Sequence, residues 1–454
     1  LRRKRLPLKP GRRTRNDDAM ADAPPDRSAI DAHQLDELRQ LLASLIPDNA
    51  FYARKLADAG VGPELASLQE YFAKVPYTLK SELIADHQAH PHFGSNLTFP
   101  FESYSRFSQT SGTSSGQPLP WLDTAESWQW MVDSWKEVFR AAGVTAEDRI
   151  YFAFSFGPFI GFWLAFDAAA QLGCLCIPGG GLGSEARLRS ILANDATVLC
   201  CTPTYAIRLG EVAAREGIDL GASQVKTLIA AGEPGASIPA TRARIEELWP
   251  GARPFDHHGM TEVGPVTYES PRHPGFLNVV ETHYLAEVVD PESSDPIRDG
   301  EIGELVLTTL GRTGSPLLRY RTGDLVKAIY RPPGDDDYTS SLGSYQLALE
   351  GGILGRSDDM VIVRGVNVYP SGVEQIVRGV PGIAEFQVRV STFQDMAEMT
   401  ITIEPEADVE DPEALVEQVG KAFQQNYALR VPVKLAEPGS LPRFEMKAKR
   451  WLKG

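Results

Sequence analysis

Between Thr110 and Pro118 the chain reads TSGTSSGQP, five small hydroxyl residues and two glycines in nine positions. Gly112 and Gly116 permit a tight backbone path with amides facing inward, and the hydroxyls of Thr110, Ser111, Thr113, Ser114 and Ser115 add donors, so the stretch can wrap phosphate oxygens. The same composition also makes an ordinary flexible loop. It is not the Walker form: GxxxxGK[ST] is absent, and Gln117 stands where a lysine would follow the glycine. A second chemical stretch, DHHGMTEVG, starts at Asp256. Asp256, His257 and His258 invite a zinc reading, but neighbouring side chains on a strand point to opposite faces, which argues against both histidines chelating one ion. The Thr261–Glu262 pair that follows reads, taken alone, as a helix cap.

Further stretches follow in order: RYRTGDL from Arg319, GRSDDMVIVRGVNVYP from Gly355 and PRFEMKAKRW from Pro442. In this order and spacing they resemble the successive motifs of the adenylate-forming (acyl-CoA synthetase) superfamily. GRSDDMVIVRGVNVYPSGVEQ, with AGEP at Ala231 to Pro234, is most similar to the phenylacetate-CoA ligase branch. The resemblance runs from about Pro47 to Trp451. It implies ATP-dependent activation of a carboxylic acid as its adenylate, with pyrophosphate released, and then acyl transfer to a thiol.

Such a reaction brings two anions together, the acid and the α-phosphate. It needs backbone donors for the phosphates, a magnesium ligand, a cation at the bridging oxygen and a fixed adenosine. The resemblance assigns Thr110, Ser111, Gly112, Thr113, Ser114 and Gly116 to the phosphates, Thr261 to the α-phosphate and Glu262 to Mg2+. It places Gly232, Glu233, Pro234, His257, His258 and Gly259 around the nucleotide, with His258 where the family usually stacks an aromatic on adenine. Asp324 matches the ribose ligand, although TGD is also plain turn chemistry. Arg356 would reach the ribose or phosphate side, or form a surface ion pair. Asp358 matches the hinge, and Gly365, Val366 and Asn367 would border the pantetheine tunnel. Lys447 matches the lysine that neutralises the pentacoordinate phosphate; otherwise it belongs to a basic tail.

Two departures matter. Met446 replaces the usual glycine before Lys447, which leaves Lys449 open as the working residue, and Gln117 removes a cation from the phosphate loop. These favour a rival reading, a non-catalytic nucleotide or adenylate sensor. Phe154, Phe156, Phe159 and Trp163 offer flat walls to an aromatic acid, or are ordinary core. His283 and Asn278 stand where some branch members bind metal, but without cysteine partners, and no structural zinc is expected. The expected acceptor is CoA; a carrier protein, or an amine or hydroxyl, is the alternative.

These groups need a scaffold. Between Arg149 and Gly259 short apolar runs alternate with amphipathic ones, which predicts helices at Ile160 to Gln171, Glu185 to Leu192, Tyr205 to Arg215 and Pro239 to Leu248 around a parallel sheet. Ligands of such sheets bind beyond the strands' carboxyl ends, where AGEP and HHGMTE fall. Alternating strands from Tyr284 to Tyr330 predict a β-rich subdomain, and the stretch after Gly351 an α+β unit. The expected fold is therefore α/β: a disordered tail (1–25), a large domain (26–354) with doubly wound parallel sheets and a β-rich subdomain, and a small mobile lid (355–454). Leu35 to Ala59 reads as edge helices broken at Pro47, and VPYTLKSEL, from Val75, shows no chemistry of its own.

The net charge of −15 sets the chain against nucleic acid. Basic residues cluster only in LRRKRLPLKPGRRTR, which has no apolar segment after it and therefore does not read as a secretory signal; the chain opens on Leu1 with Met20 internal, so translated sequence upstream of a natural start is an equal reading. Ile150 to Phe166 carries no charge but is broken by Gly157, Pro158 and Gly161, which argues against a membrane span. Cys174, Cys176, Cys200 and Cys201 sit in apolar runs and read as buried free thiols, suiting a cytoplasmic setting. A homodimer is expected from the resemblance.

Overall fold

The structure is a computed structural model that describes residues 27–110, 118–330, 347–357, 360–363, 366–393, 396–444 and 448–453. The predicted alternation is realised as one five-stranded sheet. Strands Leu175–Pro178, Arg149–Phe152, Val198–Cys201, Thr227–Ala230 and Arg253–Asp256 lie in that order, all parallel. Because successive strand residues face opposite ways, each strand feeds two cores. Ile150, Phe152, Val198, Cys200 and Ile229 pack with the helices Ala125–Ala141 and Ile160–Gln171. Tyr151, Leu199, Cys201, Leu228 and Ala230 pack instead with Ser184–Ala193, Pro203–Arg215 and Pro239–Leu248. The sheet is thus covered on both faces, and Val198–Cys201 and Thr227–Ala230 are buried at every position.

The first strand of this sheet, Arg149–Phe152, sits between the second and the third in sequence, so the strand order reverses there. The crevice beyond the carboxyl ends at such a reversal is where open α/β sheets take their ligands. The charge-free stretch from Ile150 crosses this point as a strand, a turn and the helix Ile160–Gln171. No helix among the described residues is long and apolar enough to cross a membrane.

The β-rich region is a six-stranded antiparallel sheet, ordered Thr267–Glu269, Phe276–Val279, Leu347–Arg356, Tyr320–Tyr330, Ile302–Thr309 and Tyr284–Val289. After it, helices Pro370–Arg378 and Pro412–Tyr427 pack on the strands Ile383–Phe393 and Met396–Pro405 around a core of their own that includes Val373, Val388, Ile401 and Phe423. The amino-terminal helices Arg27–Leu45 and Ala50–Asp58 flank Pro47 as expected. Residues 1–25 lie outside the described residues. Cys174, Cys200 and Cys201 are buried, all four cysteines are free, and burial pushes the Cys176 thiol up to about 11.

Candidate active site

The hydroxyl-rich stretch is carried by a hairpin, Tyr104–Gln109 against Pro120–Thr124. Its stem closes where the Thr110 amide donates to the Leu119 carbonyl (3.0 Å) and the Leu119 amide donates to Thr110 Oγ1 (2.9 Å). Ser111, Gly112, Thr113, Ser114, Gly116 and Gln117 lie outside the described residues. Facing the stem is a tight turn between Gly259–Met260 and Gly264–Pro265, with Thr261 and Glu262 at its tip. A Cβ on Gly259 would stand 2.8 Å from the Gly264 carbonyl oxygen, so only glycine fits there. Thr261 Oγ1 donates to the Gln109 carbonyl at 3.5 Å.

One arginine locks the turn to the hairpin. Arg312 Nη1 donates to the carbonyls of Thr261 and Glu262, both at 2.8 Å, while Nε and Nη2 grip Asp123 at 2.7 Å each. Asp123 lies on the hairpin strand Pro120–Thr124, and both side chains of the pair are fully buried. The bidentate fork holds geometry as well as charge.

The Glu262 carboxylate is almost wholly buried and meets Lys80 Nζ at 3.1 Å and the Tyr320 hydroxyl at 3.4 Å. Burial pushes the Tyr320 hydroxyl well up, so it stays a donor. Lys80 opens the helix Lys80–Ala89. It reaches the site because Thr78 adds itself to the edge of strand Tyr320–Tyr330: its amide donates to the Arg319 carbonyl (2.9 Å) and its carbonyl accepts from Arg321 (3.0 Å). Sequence reasoning missed both Lys80 and Tyr320. No local signal could have found Lys80, which lies far along the chain from Glu262.

Asp324 and Arg356 are cross-strand partners in register, with Arg356 Nη1 3.4 Å from Asp324 Oδ1. His258 Nε2 lies 3.3 Å from Asp324 Oδ2. Gly323, at φ +76°, makes the bend that presents the carboxylate, and a Cβ there would meet the Arg356 guanidinium at 2.8 Å. The alternation argument separates the two histidines. His257 turns into the core, its Nδ1 donating to the Thr267 carbonyl at 2.6 Å and its ring 4.3 Å from that of Trp135, and burial pushes it down to about 4. His257, expected beside the nucleotide, is therefore packing, and His258 alone faces the site.

The AGEP loop turns at Gly232, φ +96°, and leaves Pro234 exposed. Glu233 spends both carboxylate oxygens on backbone amides, Thr204 (3.0 Å) and Ala448 (2.7 Å). Phe154 is buried, with its ring 5.5 Å from Phe156, which lies 4.8 Å from Trp163. Trp163 is 39 % exposed and donates to the Gly157 carbonyl, while Phe159 is half-buried at the head of the helix. Val366 and Asn367 are on the short strand Val366–Val368, Asn367 exposed. Asp358, Gly365, Met446 and Lys447 lie outside the described residues; Lys449 is exposed. Asn278 is buried and His283 half-buried, its imidazole pushed down to about 4 by desolvation, and no cluster of three or more potential metal ligands occurs among the described residues.

Residues 110–311 match the AMP-binding enzyme family, and residues 365–453 match the AMP-binding enzyme C-terminal domain. The chain is 32% identical over 451 residues to a phenylacetate-coenzyme A ligase of Aromatoleum evansii, covering 94% of this chain and 97% of the relative. It is 30% identical to another of Thermus thermophilus over 439 residues, covering 92% and 95%. Among solved structures, 2-hydroxyisobutyryl-CoA ligase in the postadenylation state with 2-HIB-AMP superposes with a TM-score of 0.87 at 26% identity, covering 96% of this chain and 93% of the other. The same ligase in the thioesterification state, with 2-HIB-AMP and CoA, gives 0.69 at 28% identity over 94% and 90%.

Proposed function

This chain belongs to the phenylacetate-CoA ligase-like family of adenylate-forming enzymes and is an AMP-forming CoA ligase, and from that premise we propose that its acid is a small aromatic one. The acid is activated as its adenylate and the acyl group then passes to CoA. The observation that carries the assignment of the site is the meeting of the Thr261–Glu262 turn, the hairpin stem at Thr110 and the Asp324–Arg356 pair, joined through Tyr320.

Asp324 accepts from the ribose hydroxyls, His258 lies against the adenine, and Arg356 holds the ribose or phosphate side. Thr261 donates to the α-phosphate. Among the described residues the buried Glu262 carboxylate meets one ammonium and one hydroxyl, and it is the group that would hold a Mg2+ ion beside the nucleotide phosphates. When bound, that ion would supply positive charge to the phosphate oxygens. Lys80 supplies the cation that a loop bearing Gln117 lacks, and Lys447 offsets charge on the pentacoordinate phosphate as the acid carboxylate attacks and pyrophosphate leaves. In the second half the CoA thiol gives its proton to solvent and attacks the acyl carbonyl, and AMP leaves with the electron pair of the broken C–O bond. Phe156 and Trp163, with ring centroids 4.8 Å apart, form one wall for the acid's ring. Residues 355–454 act as the lid, pivoting at Asp358, with Gly365, Val366 and Asn367 along the thiol's path.

Acid-dependent exchange of labelled pyrophosphate into ATP tests this across benzoic, phenylacetic, cinnamic, aminobenzoic and 2-hydroxyisobutyric acids, with each product weighed after CoA is added. Exchange with an aromatic acid and an aryl-CoA mass is the expected result. Exchange confined to the branched aliphatic hydroxy acid overturns the substrate class, and exchange without a CoA thioester points to a carrier protein or a non-thiol acceptor.

A further inference from the structure

Glu233 belongs to a loop expected to touch the nucleotide, yet its carboxylate does something else. We propose that Glu233 is a positioning residue for adenylate formation: it pins the segment Ala448–Arg450 to the AGEP loop during acid activation and lets it go for thioester formation. This rests on the function proposed above.

The geometry is that of a bridge. Glu233 Oε1 accepts from the Thr204 amide at 3.0 Å and Oε2 from the Ala448 amide at 2.7 Å. Thr204 lies in the first turn of the helix Pro203–Arg215, against the parallel sheet. Ala448 leads directly into the strand Trp451–Lys453, which pairs with Ile383–Phe393 in the carboxy-terminal sheet. One carboxylate therefore ties two separate hydrophobic cores together. Two backbone amides aimed at one anion is a charge-assisted arrangement.

Arg450 forms a second strut beside it. Its guanidinium grips Glu385 of the carboxy-terminal sheet at 2.7 and 3.2 Å and reaches Thr204 Oγ1 at 3.4 Å. Ala448 follows Lys447 in the chain, so the bond acts one residue from the ammonium assigned to the phosphate. The better superposition on the postadenylation arrangement than on the thioesterification one fits a contact made in the first and broken in the second. A purely structural bridge would serve both halves of the reaction equally, which is what the test separates.

Two variants attack the bond from opposite ends. Glu233→Gln keeps the length but replaces one accepting oxygen with a donor, and Ala448→Pro removes the amide. In ligand-free protein, hydrogen exchange at the Ala448 amide should rise about 10-fold or more in Glu233→Gln. Both variants should slow acid-dependent pyrophosphate exchange about 10- to 100-fold while leaving CoA thioester formation from supplied acyl-adenylate within about twofold. The double variant should be no worse than the worse single, because both remove one bond. Equal exchange at Ala448 in wild type and Glu233→Gln, or parallel loss of both half-reactions, overturns the proposal. Absence of pyrophosphate exchange in the wild-type protein would instead count against the proposed function, and the substrate-free amide exchange decides the bridge on its own.

Discussion

Two polar junctions hold this molecule's site, and they are built differently. Under the Thr261–Glu262 turn, Asp123 and Arg312 are both fully buried, and among the described residues the arginine's hydrogen bonds go to a hairpin strand and a tight turn. At the seam with the carboxy-terminal unit, the buried Arg450–Thr204 contact stands beside partly exposed, scattered ones: Arg244 to Glu406 at 2.7 Å, Gln375 to the Ala240 amide at 3.0 Å, Thr241 to Glu374 at 3.3 Å. Breaking a buried pair strands a charge in a low dielectric, whereas breaking a wet one hands both partners to water. The first junction is therefore costly to break and most of the second is not. A strongly tied turn beside a weakly tied unit is the arrangement that the lid movement proposed above would need.

The sharpest way to break this contrast is Arg312→Met, which leaves Asp123 buried and unpaired. Urea unfolding should show a loss of about 3–5 kcal/mol, with much of it regained in Asp123→Leu/Arg312→Met. A loss below about 1 kcal/mol would place this pair in the same class as the seam.

The fixed region should also reveal itself in its acid response. Burial holds His257 and His283 neutral, each pushed from the usual histidine value of 6.5 down to about 4. The unfolded chain binds protons on both between pH 6.5 and 4 while the native state does not. Stability is thus unaffected above pH 6.5, falls as the pH drops through that window, and levels below about pH 4, by about 3 kcal/mol per histidine. His257→Asn, whose amide can still donate to Thr267, should remove about half of the slope in pH-dependent melts. An unchanged slope would mean that His257 is not buried neutral.

Lys80→Met tests the cation beside Glu262. Adenylate formation should fall about 10- to 100-fold, with thioester formation from supplied adenylate little changed and partial rescue by Lys80→Arg. Equal loss in both halves would make Lys80 a packing residue. The smallest effect belongs to the seam: Arg244→Ala should cost under about 1 kcal/mol, and less still at high salt. A loss comparable to that of Arg312→Met would remove the distinction.

Much of the scaffold is legible in the sequence. The helices Ile160–Gln171 and Pro239–Leu248 have the bounds that their apolar spacing predicts, since each must cover a strand face it lies beside in sequence. Asp324 and Arg356 were legible as residue types in motifs, although their cross-strand register was not. What escaped was long-range. Arg312 meets Asp123 across 189 positions, and Lys80 meets Glu262 only because Thr78 joins a distant strand edge. Composition says which residues can carry charge but not which turn a strand will deliver them to. Glu233 illustrates the same limit: its motif suggested a nucleotide contact, while the fold brings the Ala448 amide to it.

The most direct test of the assigned site is a structure with a nonhydrolysable phenylacetyl-adenylate analogue bound. The account predicts the ribose hydroxyls on Asp324, the phosphate mimic at Thr261, the adenine against His258 and the phenyl ring on Phe156 and Trp163. An analogue seated away from Asp324 and Thr261, or displaced by none of the tested acids with ATP, would contradict it.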